Sequence, residues 1–141
     1  MIELSITNWA EAQSLVKPLR YEVFVIEQKV PEEMEWDEFD ELAWHAIATA
    51  DNQTVGTGRL IITGHIAKIG RMAVQSSRRN QGIGKSILKA LIQTAKEKGV
   101  QECILHAQTH AIAFYAKEDF EPFGPIFDEA GIPHVEMRLI L

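Results

Sequence analysis

Residues 66–107 constrain the fold more than any other part of this chain. Residues 66–74 (IAKIGRMAV) read as a strand, and Gln75 to Gln81 are polar. Residues 83–98 then carry Ile83, Ile87, Leu88, Leu91, Ile92 and Ala95 along one helical stripe. Gly99 stands where a left-handed C-terminal cap belongs, and residues 101–107 (QECILHA) read as a buried strand. A strand, a helix and a strand in that order place the two strands parallel in one sheet, joined by a right-handed crossover.

The flanking segments add antiparallel strands. Residues 2–6 (IELSI) alternate as a first strand. Residues 9–28 carry an amphipathic helical pattern through Leu15, Val16, Leu19, Val23, Phe24 and Ile26, and Pro18 is expected to divide it into two short helices. Residues 29–41 read as an acidic loop. Residues 43–50, a turn at Asp51-Asn52-Gln53, residues 54–62 and a turn at Thr63-Gly64 lead into 66–74 as a meander. Residues 110–118 suggest a short helix, and 134–140 a last strand after a loop at 121–133 rich in Gly and Pro. The expected class is mixed α/β: a mostly antiparallel sheet with one parallel pair, flanked by about four helices. No repeat, low-complexity tract or linker interrupts residues 1–141, which are read as one domain.

Composition removes several function classes. Hydrophobic residues make up 46% and charged residues 24%, ordinary values for a globular domain. No apolar run approaches the roughly 18 residues a membrane span needs, and the N-terminus lacks a signal peptide's basic and apolar segments. Cys103, the only cysteine, has no intramolecular partner and lies in an apolar run, so it reads as an inert core thiol in a reducing cytoplasm. The net charge of −6 argues against nucleic acid. Acidic residues gather early (Glu32, Glu33, Glu35, Asp37, Glu38, Asp40, Glu41) and basic ones later (Lys68, Arg71, Arg78, Arg79, Lys85, Lys89). That polarity suits an anionic cofactor at one place and a cationic substrate at another.

The basic cluster includes Arg78-Arg79-Asn80-Gln81-Gly82-Ile83-Gly84-Lys85, between the strand and the helix. Unpaired N–H groups and the dipole at a helix start attract phosphate. Glycines let the backbone come close to it, and Arg79 and Lys85 add charge-assisted contacts. Three glycine-loop patterns compete. Gly84-Lys85-Ser86 fits the end of a mononucleotide P-loop, but its opening glycine falls on Arg79. The dinucleotide fingerprint fits Gly82 and Gly84 and then meets Ile87 in place of its third glycine. R-x-x-G-x-G fits at Arg79, Gly82 and Gly84.

That last pattern resembles the signature of the GNAT superfamily of N-acetyltransferases, and the resemblance extends over nearly the whole chain. Gly70 to Val74 looks like the family's fourth strand, whose backbone binds the pantetheine arm. Ala113-Phe114-Tyr115 resembles its "FY" helix, where a tyrosine protonates the leaving thiolate. Arg20 to Gln28, with Asp37, Asp40 and His45, looks like a bacterial subgroup of largely unassigned substrate, as does Gly131-Ile132-Pro133-His134. Two positions depart: Gln108 stands where the family often has Asn, and Asp119-Phe120 replaces its "GF".

The resemblance implies acetyl-CoA as co-substrate and no metal. It implies cofactor contacts from Met72, Ala73 and Val74 on the strand, from Arg79, Asn80, Gln81, Gly82, Ile83, Gly84 and Lys85 on the loop, and from Gln108 and Phe114. A backbone N–H at Val74 or a neighbour would polarise the thioester. Tyr115 is the candidate acid, because a phenol with a pKa near 10 holds its proton at neutral pH. His45 and His134 are the candidate bases or substrate contacts, His106 is weighed beside them, and Glu33 or Glu35 could act through water. Trp36 could cover the acceptor pocket, and Arg59 could order the acidic segment by pairing with Asp37 or Asp40. His106 and His110 lack a further ligand at metal spacing.

The expected reaction is direct acetyl transfer, in a ternary complex, to a primary amine of a small molecule or peptide. The acidic segment points to a cationic acceptor. A homodimer is the one macromolecular partner left open. A non-catalytic acyl-CoA sensor and a nucleotide-binding protein using Gly84-Lys85-Ser86 are the alternatives.

Overall fold

A computed structural model describes residues 1–141. One seven-stranded sheet runs in the order β1-β2-β3-β4-β5-β7-β6. The strands are β1 (Glu3–Thr7), β2 (Trp44–Ala50), β3 (Gln53–Thr63), β4 (Ile66–Val74), β5 (Glu102–Gln108), β6 (Glu121–Glu129) and β7 (Ile132–Ile140). All neighbours are antiparallel except β4 and β5, the predicted parallel pair. The helices are α1 (Trp9–Arg20), α2 (Glu32–Glu35), α3 (Ile83–Glu97) and α4 (Ile112–Ala116).

Helix α3 buries the predicted stripe of Ile83, Ile87, Leu88, Leu91, Ile92 and Ala95 against one face of the sheet. Ala67, Ile69, Cys103, Leu105, Val135 and Met137 meet it from β4, β5 and β7. Burial pushes the Cys103 thiol up to about 11, so this core thiol stays protonated. Helix α1 covers the other face near β2, where Trp9, Ala12 and Val16 pack on Ile47.

Three expectations need correction. Helix α1 is not divided at Pro18 but runs through it to Arg20. Pro18 has no N–H to give the Ser14 carbonyl, and both residues lie on the exposed face of the helix, where the missing bond disturbs no buried packing. The chain then widens into a π-helical turn, Tyr21–Glu27. Residues 29–41 are not a plain loop: α2 and a 3₁₀ turn, Glu38–Leu42, lie within and after them, and Glu35 and Asp40 are buried. The segment 121–133 is not a loop but β6 and its turn into β7. Pro122, Gly124 and Pro125 are tolerated because β6 is an edge strand with an irregular register between Phe123 and Phe127. Ala130 and Gly131, both at positive φ, form the two-residue hairpin turn.

Two irregularities position the site. The first is a fork. The β4–β5 ladder ends at Ile69 and Leu105, yet β4 continues to Val74 and β5 to Gln108. The second is a bulge. Thr57 and Arg59 on β3 pair with Ala73 and Gly70 on β4, so β4 has an extra residue there, with Arg71 at φ +50°.

Candidate active site

The loop between β4 and α3 has the form of an anion cradle. Asn80 and Gly82 have φ of +64° and +83°. Such left-handed residues turn successive N–H groups toward one point. The first helical hydrogen bond there runs from Ser86 N–H to Gly82 O, which leaves the N–H groups of Ile83, Gly84 and Lys85 without helical partners. No side chain caps this end. A Cβ at Gly82 would meet nothing within 4 Å, so the approach is open. At Gly84 a Cβ would stand 3.4 Å from the Phe114 ring, which places α4 beside the cradle. Asn80, Gln81 and Lys85 are exposed. Arg79 folds back: its Nε donates to Val74 O at 3.1 Å and its Nη2 to Glu27 at 2.8 Å.

From the cradle the fork opens inward. Met72 and Val74 are half-buried, and Ala73 packs on Leu19 and Val23. Gln108 ends β5 and donates to Gln28 Oε1 at 2.9 Å, so the end of the π-helical turn spans the mouth. These residues and this shape fit CoA: a backbone fork for the pantetheine arm and an amide cradle for the pyrophosphate.

The fork leads into a cleft of about 420 Å³. Tyr115 lines it, with its ring edge-on to Phe114 and Phe120 at centroid distances of 5.0 and 6.2 Å. Burial alone pushes the phenol up to about 12, so it keeps its proton through the neutral range. His134 also lines the cleft. Its Nδ1 donates to Ile132 O at 2.7 Å, which fixes the tautomer and turns Nε2 toward Glu129, 3.6 Å away. Glu129 also takes a 2.9 Å hydrogen bond from His106 Nδ1. Burial acts to raise the Glu129 carboxyl, but that bond and the charges of His106, His134 and Lys68 hold it below the ordinary range.

His45, by contrast, does not reach the cleft. It is 1% exposed, its Nε2 lies 2.9 Å from Asp40 O, and its ring leans on Trp9 at 4.8 Å. Burial lowers its pKa. The histidine placed on β2 by the sequence therefore serves packing, because that strand lies beneath α1. Trp36 is likewise outside the cleft lining, with its ring 5.1 Å from the Arg20 guanidinium. Sequence reasoning passed over Glu129, since Pro122 and Pro125 hid the strand that carries it. The available signal was Ala130-Gly131 followed by the alternation from Ile132 onward.

The acidic segment has another role than expected. Arg20 bonds Glu35 at 2.7 Å and Asp40 at 2.8 Å. Arg59 bonds Asp37 at 2.7 Å, as the sequence suggested, and Asp40 at 3.1 Å. Arg71, turned by the bulge, reaches Glu35 at 3.2 Å and Asp37 at 3.1 Å. Burial raises the Glu35 carboxyl against the pull of Arg71 and Arg20, whereas the hydrogen bonds and charges of Arg20 and Arg59 outweigh burial and lower Asp40. These three carboxylates are thus spent on three arginines, and the network pins residues 35–40 against β3 and β4, with Glu35 forming part of the cleft wall. No cluster of His, Cys, Asp and Glu able to hold a metal is present. No helix is long and apolar enough to cross a membrane.

Comparison with known proteins agrees with this geometry. The family described as "Acetyltransferase (GNAT) domain" matches residues 10–141. The Bacillus subtilis protein YyaT is 42% identical over 135 residues, covering 94% of this chain and 90% of its own. The uncharacterized N-acetyltransferase YjcF of the same organism is 39% identical over 120 residues, covering 84% and 86%. An acyl-CoA N-acyltransferase from Pseudomonas aeruginosa superposes with a TM-score of 0.89 at 29% identity, covering 98% of this chain and 99% of that one. A GNAT family acetyltransferase from Elizabethkingia anophelis, solved with acetyl-CoA bound, has the same fold, with a TM-score of 0.75 at 20% identity over 99% and 98% of the two chains. With its forked parallel pair, its amide cradle and a family match spanning residues 10–141, the chain belongs to the GNAT acetyltransferases.

Proposed function

We propose that the protein transfers an acetyl group from acetyl-CoA to a primary amine by direct attack within a ternary complex. The observation that carries this reading is the β4–β5 fork running from the amide cradle at Gly82 to the cleft that holds Tyr115. Acetyl-CoA, when bound, supplies the activated acyl carbon. The amides of Ile83, Gly84 and Lys85 hold the pyrophosphate, aided by Arg79 once it leaves Glu27. Backbone N–H groups of residues 72–74 orient the pantetheine arm, and one of them polarises the thioester carbonyl. His134 accepts the proton that the amine must lose, and Glu129 stabilises the imidazolium that results. Tyr115 donates its proton to the departing thiolate, so each proton given up by the acceptor is matched by one delivered to CoA.

Tyr115→Phe tests the acid. The variant should keep its acetyl-CoA affinity and lose activity by roughly 10²–10⁴-fold in kcat, the range that general acid–base groups contribute. Calorimetry and a thiol-release assay read the two quantities separately. A variant that turns over at the wild-type rate would remove Tyr115 from the chemistry.

A further inference from the structure

The cations around the cleft are unequally committed. Arg71 spends its donors on Glu35, Asp37 and the backbone carbonyls of Met34 and Glu35. Arg59 makes its hydrogen bonds through Nη1 alone. Its Nε is sealed from water and has no partner, although the residue lines the cleft and is only 6% exposed. An orphaned donor on a buried charged group is costly and rare. Lys68 is less committed still. It lines the cleft and enters none of the protein's ion pairs. Arg59 pairs with Gly70 and Ile61 with Lys68, so Arg59 and Lys68 point to the same face of the sheet. Neither of the cleft's own carboxylates forms an ion pair with these two cations: Glu35 is held by Arg20 and Arg71, and Glu129, though it feels the charge of Lys68, faces His106 and His134.

We infer that the acceptor is an anionic amine, a primary amine whose skeleton also carries a carboxylate or a phosphate, and that Arg59 and Lys68 receive its oxyanion. This rests on the acetyl-transfer reading of the same cleft, and it replaces the cationic acceptor that the acidic segment suggested. Arg59 keeps Nη2 as well as Nε without a hydrogen-bond partner, and its planar guanidinium suits an oxyanion, while Lys68 adds a point charge. The amine is then left for His134, which lines the same cleft.

The test uses the full chain, acetyl-CoA and matched acceptor pairs in a thiol-release assay, with rates expressed per unprotonated amine. The pairs are glycine and glycinamide, glutamate and its diamide, and phosphoethanolamine and ethanolamine. The anionic member of at least one pair should show kcat/KM higher on the order of tenfold or more, as when a site built for a polar group meets an analogue lacking it. Whether the first two pairs or the third show the preference separates carboxylate from phosphate. In Lys68→Met the preference should shrink while acetyl-CoA affinity, measured by calorimetry, stays unchanged. Equal or better use of the neutral members overturns the inference, and so does the absence of turnover with every anionic amine while acetyl-CoA binds. If acetyl-CoA itself fails to bind, the acetyl-transfer reading falls and takes this inference with it.

Discussion

Gly82→Glu should weaken CoA binding on the order of a hundredfold, because it removes the geometry of the cradle and adds a charge against the pyrophosphate. The side chain has room, since no atom lies within 4 Å of the Cβ position. The φ of +83° makes any side chain strained by about 1–2 kcal/mol, and the strain falls on an exposed loop rather than on the core. Gly82→Ala is the matched control. It carries the same backbone strain without the charge and should lose far less affinity. Calorimetry with CoA on both variants, alongside thermal unfolding, separates repulsion from misfolding. A glutamate variant that is folded and binds CoA as tightly as the wild type would place the pyrophosphate elsewhere.

Arg20→Met should be the most destabilising change of a single charged side chain. Arg20 is 1% exposed and joins Glu35 to Asp40, both of them 2% exposed. Removing it leaves two buried carboxylates short of a counter-charge, a loss of about 3–5 kcal/mol. For a chain of this size that is a fall of roughly 10–20 °C in Tm. Arg78→Met provides the contrast, because Arg78 pairs with Asp51, whose side chain is 86% exposed. Such surface pairs contribute about 0–1 kcal/mol. Equal Tm values for the two variants would mean that the buried network does not hold the cleft wall.

The parallel pair and α3 were legible in the sequence because each had its own local signal. A helical stripe ended at Gly99, and a glycine loop preceded it. The same loop identified the cradle, since positive φ at Gly82 and a bare helix start are properties of a few adjacent residues. What stayed hidden depends on partners distant in the chain. Glu35 and Asp40 look like solvated acids until Arg20, Arg59 and Arg71 arrive from α1, β3 and β4. Pro122 and Pro125 suppress a strand that an edge position permits. His45 and His134 have the same residue type in strand contexts, and only the layer above each strand separates a packed imidazole from one that faces the cleft. For Arg59 the sequence allows either a surface charge or pairing with Asp37 or Asp40; the pairing holds for Nη1, and the orphaned Nε is visible only in three dimensions.

Calorimetric titration of the purified chain with acetyl-CoA, with ATP and NAD as controls, tests the central claim most directly. The fork and the cradle predict micromolar binding of acetyl-CoA at one site per chain and no heat from either control. Silence from acetyl-CoA, or equal binding of ATP, would contradict the assignment of the 79–84 loop to the CoA pyrophosphate.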